Sequence, residues 1–131
     1  MAENRSRPLS PHLGIWRWGP GMAVSILHRI TGGALTVAGL AVLVWWLAAL
    51  AGGESAYQDF TAFTGHWVGL VILVGLTWAF FQHLLSGVRH LFMDAGQAFE
   101  LDVNKGSAVA TMVASAGLTI LLWGFVMGVV R

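Results

Sequence analysis

Three long stretches of this 131-residue chain contain no Asp, Glu, Lys or Arg: residues 30–53, 60–88 and 106–130. Each stretch is longer than the roughly 20 residues that an α-helix needs to cross about 30 Å of hydrocarbon. A transmembrane β-barrel would instead show short segments of alternating polarity, and the sequence has no such pattern. The sequence therefore predicts an all-α membrane protein with three transmembrane helices.

The composition supports a membrane protein and limits its chemistry. Only 10% of the residues are charged, whereas soluble domains have about 25%. The length allows a single domain over residues 1–131, with spans at about 25–51, 64–92 and 106–130 and an interfacial segment over 1–24. The absence of cysteine excludes disulfides and cysteine-ligated iron–sulfur clusters within this chain. Any electron transfer through the chain must therefore depend on histidine and a bound cofactor.

The distribution of charge predicts the orientation of the spans. The basic residues on one side of the predicted membrane are Arg5, Arg7, Arg17, Arg29, Arg89 and Lys105. The other side has Glu54 and Asp59 between the first two spans, and only Arg131 as a basic residue. By the positive-inside rule, the N-terminus is predicted to lie inside and the C-terminus outside.

One face of the second predicted helix contains His83, Gly87, His90 and Asp94. Their spacing keeps all four within about 40° of one helical face. His83 lies roughly two turns inside the boundary marked by Arg89, where a neutral imidazole is a suitable axial ligand for haem iron. Gly87 has no side chain that would block a flat ligand. The alternative for His83 is a packed histidine that makes an interhelical hydrogen bond.

Helix geometry restricts which histidines could share one iron. His83 and His90 lie about 10 Å apart along the helix axis, whereas two axial nitrogens on one iron are about 4 Å apart. His66 would lie about 25 Å from His83, and we expect it to cap the start of the helix at the interface. A second axial ligand would therefore come from His28 or from another chain.

A polar patch begins the first predicted helix. Ser25, His28 and Arg29 occur at positions i, i+3 and i+4, so their side chains face the same way. A hydroxyl, an imidazole and a guanidinium together suit haem propionates or a quinone head group. Arg29 alone could instead be a snorkelling residue that fixes the depth of the helix. The third span contains no ionisable residue and is predicted to be scaffold.

Three sequence blocks resemble the cytochrome b membrane-anchor subunit of succinate dehydrogenase, respiratory complex II, of the cytochrome b556 type. They are Arg-Pro-Leu-Ser-Pro-His-Leu at 7–13, Ser-Ile-Leu-His-Arg at 25–29 followed by Thr-Gly, and His-x-x-x-Gly-x-Arg-His-Leu at 83–91 followed by Asp94. The blocks occur in the order that the family shows, and three spans with an inside N-terminus match it. One departure is Trp16, where many members have tyrosine.

The resemblance implies a complex of four subunits: a flavoprotein, an iron–sulfur protein, this chain and a second small anchor. It implies that His83 is an axial ligand of haem b, and that the opposite histidine comes from the other anchor chain. His28 and His90 would lie near the haem propionates, and Ser25 and Arg29 would form part of a quinone pocket. The expected location is a bacterial inner membrane, ahead of the mitochondrial inner membrane.

The chain has no flavin fingerprint and no dicarboxylate site, so no catalytic residue for succinate oxidation is expected in it. Two related functions stay open, namely the anchor of a fumarate reductase and a haem-free structural anchor. A small transporter with a proton-relaying histidine is a third possibility, but the chain lacks the paired repeats that transporters commonly show.

Overall fold

The computed structural model describes residues 17–129, and within that range it contains helices and no strand. The elements are α1 (Pro20–Ala34), a π-helical turn (Leu35–Gly39), α2 (Leu40–Gly52), α3 (Glu54–Gly65), α4 (Trp67–Asp94) and α5 (Leu101–Val129). Three stretches are long and apolar enough to cross a membrane: Pro20–Gly52, Trp67–Asp94 and Leu101–Val129. The predicted all-α fold with three spans is confirmed. The block at 7–13, Trp16 and Arg131 lie outside the described residues.

The first span starts earlier than the sequence predicted and contains an irregular turn. Pro20 occupies the first turn of α1, where its fixed φ suits the helix and its missing N–H is not needed. The span then continues through the π-helical turn into α2 without a break. Such single π-helical turns are uncommon within helices and frequently occur at functional sites.

Two glycines allow the chain to turn between the first and second spans. Gly53 separates α2 from α3 and has a φ of +88°, a conformation that residues with a Cβ rarely adopt. His66 begins α4 as its N-cap, because its Nδ1 accepts a hydrogen bond from the Val68 N–H at 3.4 Å. The expectation that His66 caps this helix is confirmed. At the same bend, a Cβ on Gly69 would overlap the Phe63 carbonyl oxygen.

Helix α4 packs against both α1 and α5, and these two helices also contact each other. The third span starts at Leu101, five residues before the predicted start at 106, and so includes Asp102 and Lys105. Asn104 stabilises the connection before it by donating a hydrogen bond from Nδ2 to the Ala98 carbonyl oxygen at 3.4 Å. Ala98 has a φ of +61°, so this bond supports an unfavourable backbone conformation.

Candidate cofactor site between the first two spans

The interface between α1 and α4 is built around a pair of histidines. The rings of His28 and His83 stack, with centroids 3.9 Å apart and planes 10° from parallel. The Nδ1 atom of His83 lies 3.0 Å from the His28 carbonyl oxygen and 3.4 Å from the Thr31 hydroxyl. A carbonyl oxygen can only accept, so His83 Nδ1 carries the proton and Nε2 retains a lone pair.

A glycine on α1 allows the His83 ring to come this close. A Cβ on Gly32 would lie 2.9 Å from His83 Cε1, which is too short for a real contact. Gly87, the glycine that the sequence pattern emphasised, is different. A Cβ there would lie 3.8 Å from His28 Cε1, an ordinary van der Waals distance. The packing of this chain therefore requires Gly32 to lack a side chain, and does not require it of Gly87.

A third histidine and a serine complete the arrangement. His90 meets His28 edge-on, with ring centroids 5.3 Å apart and planes at 63°. Ser86 is fully buried, and its Oγ lies 2.5 Å from His28 Nδ1. We call His28, His83 and His90 the imidazole cluster. Sequence reasoning missed Ser86, although its position three residues after His83 places it on a neighbouring part of the same helix surface.

The other two predicted binding residues lie on α1 beside the cluster. Ser25 is half-buried and lies one turn before His28, while Arg29 is exposed on the helix surface. Arg29 makes no hydrogen bond or ion pair with any residue between 17 and 129. Asp94, the last member of the predicted face on α4, is also exposed.

The geometry of His83 fits an axial ligand of haem. Ligating histidines commonly donate their second ring N–H to a carbonyl, which fixes the tautomer and the ring orientation. His83 has this arrangement, and its Nε2 has no hydrogen-bond partner in the described structure. Because His28 stacks face to face on His83, the two rings do not approach one iron from opposite sides. This arrangement favours a second ligand from another chain.

The imidazole cluster does not have the geometry of a site for a bare metal ion. Among residues 17–129 no group of three or more His, Cys, Asp or Glu side chains is arranged to hold one. Iron in a porphyrin requires fewer protein ligands, because the macrocycle supplies four ligands and the protein supplies only the axial ones.

A neighbouring face of α4, directed to α5, is also polar, and Gln82 and Arg89 on it bond to that helix. Gln82 is fully buried and its Oε1 accepts from the Ser115 hydroxyl of α5 at 2.7 Å. Arg89 is only 7% exposed. It donates from Nε to Ser107 Oγ at 3.0 Å and from a terminal nitrogen to the Asn104 carbonyl at 3.4 Å. Arg89, which marked the membrane boundary in the sequence, is thus an interhelical contact.

The fold and the imidazole cluster define a class of protein: a three-span helical membrane subunit with histidines held between its first two spans. A model of the succinate dehydrogenase/fumarate reductase transmembrane subunit family matches residues 3–122. The chain belongs to this family, as the three sequence blocks predicted.

Individual relatives agree with the family match. The chain is 41% identical to the succinate dehydrogenase cytochrome b556 subunit of Paracoccus denitrificans over 116 residues, which cover 88% of each chain. It is 38% identical to the cytochrome b556 subunit of Rickettsia felis, covering 89% of this chain and 90% of that one. A mitochondrial relative, the cytochrome b560 subunit of Sus scrofa, is 31% identical and is covered over 72% of its length.

Proposed function

We propose that this chain is the cytochrome b membrane-anchor subunit of a succinate dehydrogenase, which holds haem b and forms part of the quinone-reduction site. The family match and the relatives named as succinate dehydrogenase subunits support this function. The single observation that carries the haem assignment is His83, whose Nδ1 is held by the His28 carbonyl oxygen while its Nε2 is left for a ligand. The subunit has no catalytic activity on its own.

His83 would hold the haem iron as one of two axial histidines, with the other supplied by the second anchor subunit. His28 and His90, which contact each other beside His83, would bind the propionates. When bound, the haem would supply a one-electron redox centre. The hydrogen bond from Nδ1 to the His28 carbonyl oxygen orients His83, and the packing of Gly32 against the ring restricts its position.

Ser25 and Arg29 would bind the quinone, either ubiquinone or another species. The Ser25 hydroxyl would donate a hydrogen bond to a quinone carbonyl. Arg29, which has no partner among the described residues, would stabilise the negative charge that develops as the quinone is reduced. Pre-placed donors of this kind are effective where charge develops. The protons for the quinol would come from water on the inner side.

The proposed assembly follows from the charge pattern and the exposed surface. With the N-terminus inside, the patch at the start of α1 would face the iron–sulfur subunit, which receives electrons from the flavoprotein. Large apolar residues are exposed along the spans, including Val37, Val71 and Ile120, and these would contact lipid and the second anchor. The location would be the inner membrane of a bacterium, since the two most similar relatives named above are bacterial.

A fumarate reductase anchor is the second candidate, because the matching family description includes both enzymes. The relatives' names favour the succinate dehydrogenase. The rate of quinol-driven fumarate reduction, compared with the rate of succinate oxidation in the same membranes, would distinguish them.

The quinone assignment is tested with Ser25 and Arg29 variants in the whole complex. Ser25→Ala removes one neutral hydrogen bond, worth about 0.5–1.5 kcal/mol, and should reduce efficiency with quinone up to about tenfold. Arg29→Leu removes a charged donor and should cost about 1.5–3 kcal/mol. Arg29→Lys keeps the charge but loses the planar fork, so its activity should fall between those of wild type and Leu.

The measurement compares succinate–quinone and succinate–dye reductase activities in the same membranes, since a soluble dye bypasses the quinone site. The dye activity should be unchanged in all variants. Arg17→Leu is the matched control, because it removes a basic residue before α1 without touching the patch. Equal loss of quinone and dye activities would show that these residues serve assembly. Full quinone activity in Arg29→Leu would place the quinone elsewhere.

A further inference from the structure

Ser86 bonds to the ring of His28 and to the backbone of His83. Its Oγ is 2.5 Å from His28 Nδ1 and 3.2 Å from the His83 carbonyl oxygen. The contact with His28 Nδ1 is the shorter of the two, and the hydroxyl and the ring nitrogen form one hydrogen bond whichever of them carries the proton. The ring of His28 is thereby bonded to Ser86.

The contacts between the two histidines are reciprocal. His83 donates from Nδ1 to the backbone of His28, and His28 Nδ1 is hydrogen-bonded to a serine that is bonded to the backbone of His83. The rings then stack at 3.9 Å. Each ring has its Nδ1 atom bonded within the protein, and the Ser86 side chain that bonds to His28 is completely buried.

We infer that Ser86 is a positioning residue that holds the His28 ring flat against His83 and thereby sets the plane of the His83 imidazole. The inference rests on the proposed function, in which His83 is an axial ligand. Rotation of His83 is limited by its own hydrogen bond and by the stacked ring of His28. Rotation of His28 is limited on the other side by Ser86, because turning the ring would break its hydrogen bond to this buried hydroxyl.

The orientation of axial imidazole planes, and the hydrogen bonds behind them, tune a low-spin haem. Electron paramagnetic resonance of the oxidised complex reports the orientation of these planes, since the largest g value responds to the angle between the two axial imidazoles. Ser86 is buried and would not touch the haem, so this signal separates positioning from direct ligation.

The experiment uses the purified four-subunit complex with Ser86→Ala, Ser86→Cys and Ser115→Ala. Cysteine nearly preserves the volume of serine, but its thiol is a weak acceptor. Ser115 is an equally buried serine on α5, so it controls for loss of a buried hydroxyl away from His28. Haem content is measured in each preparation from the absorption spectrum.

We expect both Ser86 variants to retain haem and to show a shifted or broadened largest g value, with the Ser115 variant unchanged. An unchanged signal in Ser86→Ala would overturn the inference. It would also be overturned if Ser86→Cys matched wild type while Ser86→Ala shifted, because packing volume would then be the cause. If the Ser86→Ala complex does not assemble, the g value of Ser86→Cys decides: a shift supports the inference and an unchanged value overturns it. Absence of haem from the wild-type complex would instead contradict the proposed function.

Discussion

The two faces of α4 differ in what their polar side chains bond to. Toward α1, His28 and His83 bond within the chain through their Nδ1 atoms. Their Nε2 atoms are left for other partners. Toward α5, Gln82 and Arg89 are buried and contact hydroxyls and a carbonyl of that helix. Both faces place polar groups at membrane depth, where any such group is costly. Only the face toward α1 leaves ring nitrogens free to bind a ligand.

The α5 face also contains a buried polar atom that has no hydrogen-bond partner among residues 17–129, but a rotation of its own side chain would supply one. Gln82 Nε2 is buried without a hydrogen-bond partner, while Ser115 Oγ lies near both Gln82 Oε1 and the Met112 carbonyl. One hydroxyl hydrogen cannot serve both. Rotating the amide by a half turn would let Nε2 donate to Ser115, whose hydroxyl then bonds Met112. Polarity within a span therefore indicates a ligand site only where a polar atom has no possible partner inside the chain.

The largest effect is expected for His83, on the face with free nitrogens. His83→Ala should abolish or convert the low-spin b-type spectrum, because the iron loses one axial bond. His66→Ala is the control and should leave the spectrum unchanged, since His66 caps the far end of α4. The assignment of His83 as the ligand would be wrong if His83→Ala kept a normal six-coordinate spectrum while His28→Ala abolished it.

A smaller effect on the haem is expected for Gly32→Ala. The new Cβ would lie 2.9 Å from His83 Cε1, so the ring must shift and haem content or the spectrum should change in part. Gly33→Ala is the matched control, because a Cβ there meets nothing within 4 Å. Absorption spectra of the two purified complexes provide the test. Equal behaviour of the two variants would show that the close packing of Gly32 on His83 has no role in haem binding.

Substitutions on the α5 face should leave the haem unchanged and should instead lower the stability of the complex. Ser107→Ala removes the partner of Arg89 Nε and leaves a buried charged donor unpaired, at a cost of about 1–3 kcal/mol. Ser107→Thr keeps the hydroxyl and should behave like wild type. Thermal unfolding of the complex in lipid nanodiscs, with the spectrum recorded alongside, measures both properties. A changed haem spectrum with unchanged stability would reverse the assignment of the two faces.

The number of spans could be predicted because runs without charge determine it. The helix boundaries could not, since α5 starts at Leu101 and includes Asp102 and Lys105, and charged residues can continue a helix beyond the hydrocarbon. His28 and His83 were identified because imidazoles at membrane depth are rare and costly. Ser86 and the close contact of Gly32 were missed, because serine and glycine are common in membrane helices and their partners are far away in sequence.

The central claim is that this chain supplies one axial histidine to a haem in a succinate dehydrogenase. The reduced-minus-oxidised spectrum of the purified complex, with haem measured against flavin, tests it most directly. We expect a low-spin b-type haem in equal amount to the flavin. A complex that contains flavin and reduces quinone without any haem would contradict the claim, and would leave the chain as a structural anchor.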